Sequence, residues 1–293
     1  MPPGTSSRAP AGSARGPFLS RRRTALALAL LLAGGQGRAW GERGHRLASQ
    51  AALSTLPGEV RSWFKGREPI LLDHASDPDR WKTDRKEGPR HFINVERYGG
   101  PEAVPASFEA ARGLIRGDAT RAGLLPWVIQ DRWRDLVAAF REGKPEEVAL
   151  AASILGHYIA DAQVPLHTTL HHDGREPGQK GLHARWESGL VGRLDRLDGL
   201  KAAPAHPVAD FPARPWQWIR ESHARVPLLL ADDLDADRTT PLGPEGPKRT
   251  GAYWSLFKER QGPVVERQLA LAATRLGEGI LAAWIEAGRP PAP

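Results

Sequence analysis

Over several stretches of this chain apolar residues recur every three to four positions, the spacing that gives a helix one buried face. On that periodicity helices are predicted over residues 44–56, 127–141, 146–162 and 182–197, and near the end over 253–260 and 264–287. Pro57 and Pro165 mark the ends of the first and third, because proline has no N–H with which to continue the hydrogen-bonded ladder. Residues 66–105 mix Asp, Pro, Gly and Arg and read as mostly irregular, with short helical turns around 103–116. Two further stretches, 202–215 and 232–247, read as loops or bridges. No alternating strand pattern and no internal repeat is present, so the pattern predicts an all-α, single-domain helical bundle.

With 293 residues and 40% apolar content the chain can bury a sizeable core. Its first 39 residues look different from the rest. Arg21, Arg22 and Arg23 precede an apolar run over 25–33, and Gly37-Arg38-Ala39 places small residues at a cleavage site, the three-part pattern of an export signal. The run is shorter than the roughly 20 residues that span a bilayer. Residues 1–39 are therefore expected to be a signal peptide removed after Ala39. Trp40 would then begin a secreted or periplasmic domain over 40–293. Ser20-Arg21-Arg22 hints at twin-arginine export.

This expectation changes the charge argument. The formal +7 suggests a nucleic-acid binder, but residues 1–39 hold six arginines and no acid, and without them the chain keeps +1. Net charge therefore gives no evidence for such a partner. The chain also has no cysteine, so any zinc site must use nitrogen and oxygen donors, and a thiolate zinc finger is excluded.

The ten histidines supply the candidate chemistry. His157 and Asp161 lie four apart in a helical segment, so both project from one face, and His183 and Glu187 repeat that spacing. His167 follows Pro165, between the two pairs. One such pair is more often a surface ion pair than a ligand pair. Two pairs with a histidine between them point to a metal site, in which Asp161 can bridge two ions through its two oxygens. His171 and His172 read as solvent-facing or substrate-side, and His74, His206 and His223 as structural or exposed.

Around these residues the sequence resembles the superfamily of fungal single-strand nucleases and bacterial zinc-dependent phospholipases C, in its nuclease form the S1/P1 nuclease family. The matching pieces are Trp40-Gly41-Glu42-Arg43-Gly44-His45, His91-Phe92-Ile93-Asn94, the stretch 155–167 from Leu155 to His167, His183-Ala184-Arg185-Trp186-Glu187, and a C-terminal helical stretch over 264–276. The resemblance implies the phospholipase C/P1 nuclease fold and three zinc ions. One ion would be held by the α-amino nitrogen and carbonyl of Trp40 with His45 and Asp161, the second by Asp79, His91, His157 and Asp161, and the third by His167, His183 and Glu187. A freed amine chelates with its own carbonyl as an internal amide cannot, so uncut precursor is expected to be inactive. Asp77 is an alternative to Asp79.

The implied activity is hydrolysis of phosphodiesters in single-stranded DNA or RNA, leaving 5′-phosphates, with Asp79 orienting the attacking water or taking its proton. Phe92 would stack a base, and Asn94 and Lys82 would contact substrate. Two features lean towards phospholipid instead: Asn94 stands where the nucleases usually have aspartate, and Glu187 replaces their usual Asp, as in the lipases. The loop 168–180 also lacks the Gly-Gly-Asn stretch of the nucleases. Phospholipase C activity is thus the alternative, and a non-catalytic zinc-binding helical protein the second. Structural zinc is normally one ion with four closed ligands, fewer than the nine candidates here. No stable protein partner is implied.

Overall fold

In the computed structural model, the described residues are 40–115, 119–239, 242–243, 246–247 and 249–293. The expected signal peptide lies outside them. Among the described residues six helices reach ten residues or more: α1 (Gly41–Thr55), α2 (Leu125–Glu142), α3 (Pro145–Asp161), α4 (Arg214–His223), α5 (Val226–Arg238) and α6 (Gly251–Glu286). The only paired strands among the described residues are Leu242–Gly243 and Gly246–Pro247, two residues each and antiparallel. The chain is all-α, as its periodicity predicts.

Local chemistry sets the helix ends. α2 and α3 each carry proline in the first turn, where its missing N–H is no loss. Glu146 and Glu147 in the first turn of α3 complement the helix dipole. Gly143 stops α2 in the left-handed conformation at φ 70° and donates back to Ala139 and Phe140.

From Ala152 to Asp161 every residue of α3 is buried, so this helix is enclosed on all sides. α1, α2 and α6 pack around it, and α5 packs on α6. The α1–α6 crossing is close: a Cβ on Gly277 would lie 2.0 Å from Thr55 Oγ1. The core falls into two clusters. Leu155, Tyr158, Ile159 and Ala162 belong to one, and Ala160, Val164 and Leu166 to the other. The last turn of α3 is where the two meet, and His157 and Asp161 lie in that turn.

The helix map differs from the sequence reading in several places. α6 is one helix of 36 residues, about 54 Å long, and does not break between Arg260 and Val264. Pro263 is on its exposed face, where the carbonyl that loses a partner can be hydrated. α5 runs through Arg238 into the stretch 232–247 read as a loop, because its acids have tertiary partners: Asp233 with Arg185 and Asp237 with Arg249. The expected helix over 182–197 is an α-turn (Leu182–Ala184), a π-helical stretch (Arg185–Leu190) and two short 3-10 turns. In the stretch 66–105, read as mostly irregular, Glu68–Asp73 and Asp77–Arg80 are helical. No helix among the described residues is long and apolar enough to cross a membrane.

Candidate metal centre

Five segments converge at the C-terminal end of α3. α1 brings His45; the segment of short helical turns over 77–91 brings Asp79 and His91; α3 brings His157 and Asp161; the 3-10 turn Pro165–Thr168 brings His167; and the α-turn Leu182–Ala184 with the π-helical stretch after it brings His183 and Glu187. Three sets of donors form, in each of which the ligand atoms lie within 4.8 Å of one another: His45, His157 and Asp161; Asp79, His91 and His157; His167, His183 and Glu187.

Asp161 joins the sets. Its Oδ2 lies 2.9 Å from His91 Nδ1 and 3.4 Å from His157 Nε2, while Oδ1 lies 3.5 Å from His167 Nδ1 and 3.8 Å from His45 Nε2. The two oxygens thus face different histidines. A carboxylate in the last turn of a helix is disfavoured by the helix dipole. Burial pushes its pKa up further, yet His157 and His167, with hydrogen bonds to His157 and His91, hold it well below the usual range.

Two further donors, His45 and Glu187, are held in the form a divalent cation requires. Burial, and then His157, lowers His45 to about 3, so its ring is neutral and keeps a lone pair. Burial raises Glu187, but His183 and His167 outweigh this and bring it to about 2. Both ring nitrogens of His45, Asp79 Oδ2, Asp161 Oδ1, His167 Nδ1 and Glu187 Oε2 are buried without a hydrogen-bond partner. Buried polar atoms are normally paired. So many orphans converging in one place fit a bound cation.

The two aspartates of this turn point in different directions. The side chain of Asp79 is buried, with Oδ1 3.9 Å from both His91 Nδ1 and His157 Nε2 and 2.6 Å from Lys82 Nζ. Asp77 turns away to His74 at 2.6 Å and Arg80 at 2.8 Å. His157 keeps Nε2 inward because its Nδ1 sits 2.9 Å from the Ala75 carbonyl. Trp40 is wholly buried, with its indole donating to the Ala160 carbonyl at 2.7 Å and its own carbonyl accepting from Gly44 N at 3.2 Å.

Beside the donors is a cavity of about 250 Å³ lined by Lys82, Phe92, Asn94, Thr169 and His172 together with His91, His167 and His183. All three residues expected to face substrate therefore border it. Phe92 is only half-buried, so it is not a core ring. Asn94 is buried and donates to the Arg121 carbonyl at 3.4 Å. Gly123 closes against this segment at φ 91°, where a Cβ would meet the Phe92 carbonyl oxygen at 2.1 Å.

Two acids near the site have no part in the sequence reading. Glu96 accepts from Thr169 Oγ1 and, at 3.0 Å, from Leu170 N, anchoring the start of the loop 168–180. Glu87 stands behind His91, and burial would raise it, but the facing His91 ring, a hydrogen bond from Tyr158 and the charge of Arg90 hold it below its ordinary value. The Glu87–His91 spacing of four is the same signal that marks His157–Asp161 and His183–Glu187.

No protein-family model matches this chain, and no curated protein does. Among solved structures it is similar to the alpha-toxin of Clostridium perfringens from an avian strain, at 12% identity and a TM-score of 0.48, over 83% of this chain and 64% of that one. The alignment thus spans less than two thirds of the toxin. A likeness at this level assigns neither a family nor an activity.

Proposed function

We propose that this chain is a zinc-dependent phosphodiesterase of the S1/P1 nuclease type that cleaves single-stranded nucleic acid to 5′-phosphate products after export and removal of residues 1–39. The supporting observation is the buried Asp161 carboxylate, whose two oxygens face two different sets of histidines. Trp40, through its freed amine and carbonyl, would hold one ion with His45 and Asp161. Asp79, His91, His157 and Asp161 would hold the second, and His167, His183 and Glu187 the third. Bound there, zinc supplies a water acidified towards neutrality and a positive field for the leaving oxygen.

The chain's own groups do the rest. Asp79 keeps Oδ2 without a partner while Lys82 grips Oδ1 at 2.6 Å, leaving one oxygen to orient the attacking water or take its proton. Lys82 lies on the cavity wall with its cation reinforced by Asp79 and Asp161 against the effect of burial, which suits a phosphate. Phe92 offers a ring to a base, and stacking is worth roughly 1–3 kcal/mol per base. A closed structural zinc site has no use for such a cavity.

The second reading, hydrolysis of phospholipid head groups, is favoured by Glu187 in the third donor set, the acid that the resemblance associates with the lipases. Processed protein beginning at Trp40 separates the two. Zinc-dependent release of mononucleotides from single-stranded DNA or RNA is the expected result. Release of phosphocholine from phosphatidylcholine with nucleic acid untouched would transfer the assignment to the lipase, and a protein without zinc would refute both.

A further inference from the structure

The buried carboxylate of Glu87 lies behind the donor set, not in it. Its Oε1 is 3.2 Å from His91 Nε2, off the line of a well-formed hydrogen bond, and accepts from Tyr158 Oη at 2.5 Å. Its Oε2 is 3.3 Å from Arg90 Nε. Arg90 in turn lies over the Tyr158 ring, 5.6 Å from its centre. The opposite nitrogen of His91, Nδ1, faces Asp161 and, at 3.1 Å, His157 Nε2.

We propose that Glu87 is the positioning residue of His91, presenting Nδ1 to the cation and strengthening it as a donor; this rests on the metal-binding reading of the cluster. An imidazole that gives one nitrogen to a metal carries its hydrogen on the other, and an anion facing that hydrogen fixes the ring and raises the basicity of the ligating nitrogen. His157 has only a neutral carbonyl in the equivalent place. Glu87 is held in turn by Tyr158, the residue next to His157 on α3. One hydroxyl thus ties the support of the His91 ring to the helix that carries His157 and Asp161. Glu87 and Tyr158 lie outside the cavity-lining set, so their effect reaches substrate only through His91.

The test is zinc affinity, read by competition with graded chelator on processed wild type and on Glu87→Gln, Glu87→Asp and Tyr158→Phe. Glu87→Gln is expected to weaken the ion at His91 by ~10–100-fold, the usual effect of losing such a partner. The other ions should be retained and the unfolding temperature of the chelated protein unchanged. Glu87→Asp, which keeps the charge, should recover part of the loss, and Tyr158→Phe should weaken the same ion should Glu87→Gln fail to fold. Equal zinc affinity in Glu87→Gln and wild type, or an effect confined to the chelated protein's unfolding, would overturn the role of Glu87. A wild type that binds zinc but cleaves no phosphodiester would refute the proposed activity and leave this comparison intact.

Discussion

Nε2 of His167 and Nε2 of His183 face each other at 2.9 Å, and the same Glu187 oxygen lies 2.9 Å from one and 2.7 Å from the other. Two imidazole lone pairs do not attract each other. A cation, or a hydrogen on one ring, is what brings them together, and the neighbouring carboxylate is held ionised.

Glu187→Gln is therefore expected to lose about one zinc per chain, since it removes the one charged ligand of a three-residue site. Elemental analysis of the dialysed protein measures this. Unchanged zinc content would remove Glu187 from the ligand set.

Asp77 and Asp79, two residues apart, should behave differently. Asp79→Asn takes charge from a buried set facing His91 and His157, and kcat on a single-stranded oligonucleotide should fall at least ~10²-fold, as when an electrostatic stabiliser is lost. Asp77→Asn removes an ion pair with Arg80 and His74, changing stability by about 1 kcal/mol or less and leaving kcat nearly unchanged. The reverse ranking would make Asp77 the ligand.

Phe92→Ala should weaken binding of single-stranded substrate by roughly 1–3 kcal/mol, seen as a rise in KM with zinc content intact. A drop in unfolding temperature with KM unmoved would identify the ring as packing.

What could be read from the sequence follows from how local each signal is. Helix periodicity revealed α1, α2 and α3, and the fourfold spacing of His157–Asp161 and His183–Glu187 marked two pairs that the fold brings into one cluster. α5 was missed because its aspartates look like loop residues until Arg185 and Arg249, which lie outside the helix, are seen to pair with them. The break expected between 260 and 264 did not occur because Pro263 faces water, which periodicity on either side does not disclose. The sequence favours Asp79 over Asp77 only by resemblance, and it does not disclose which way the turn points each carboxylate. Glu87 carried the right spacing, but its effect depends on Tyr158, brought to it by the fold.

Gly123→Ala should destabilise the chelated protein by about 1–3 kcal/mol or more, because an added Cβ meets a backbone oxygen that cannot rotate away and the left-handed φ adds strain. The displaced segment carries His91 and Phe92, so activity should fall with the melting temperature. An unaltered melting temperature would mean that the two segments separate without penalty.

Asp161 touches four imidazoles drawn from four parts of the chain, so substitutions at 45, 91, 157 and 167 have a common counterpart. Their energies will not sum: once one of these rings is gone, the carboxylate redistributes its field among those left. Any scheme that ranks the four by single replacements will count the same charge more than once, and only cycles that also vary position 161 can divide it among them.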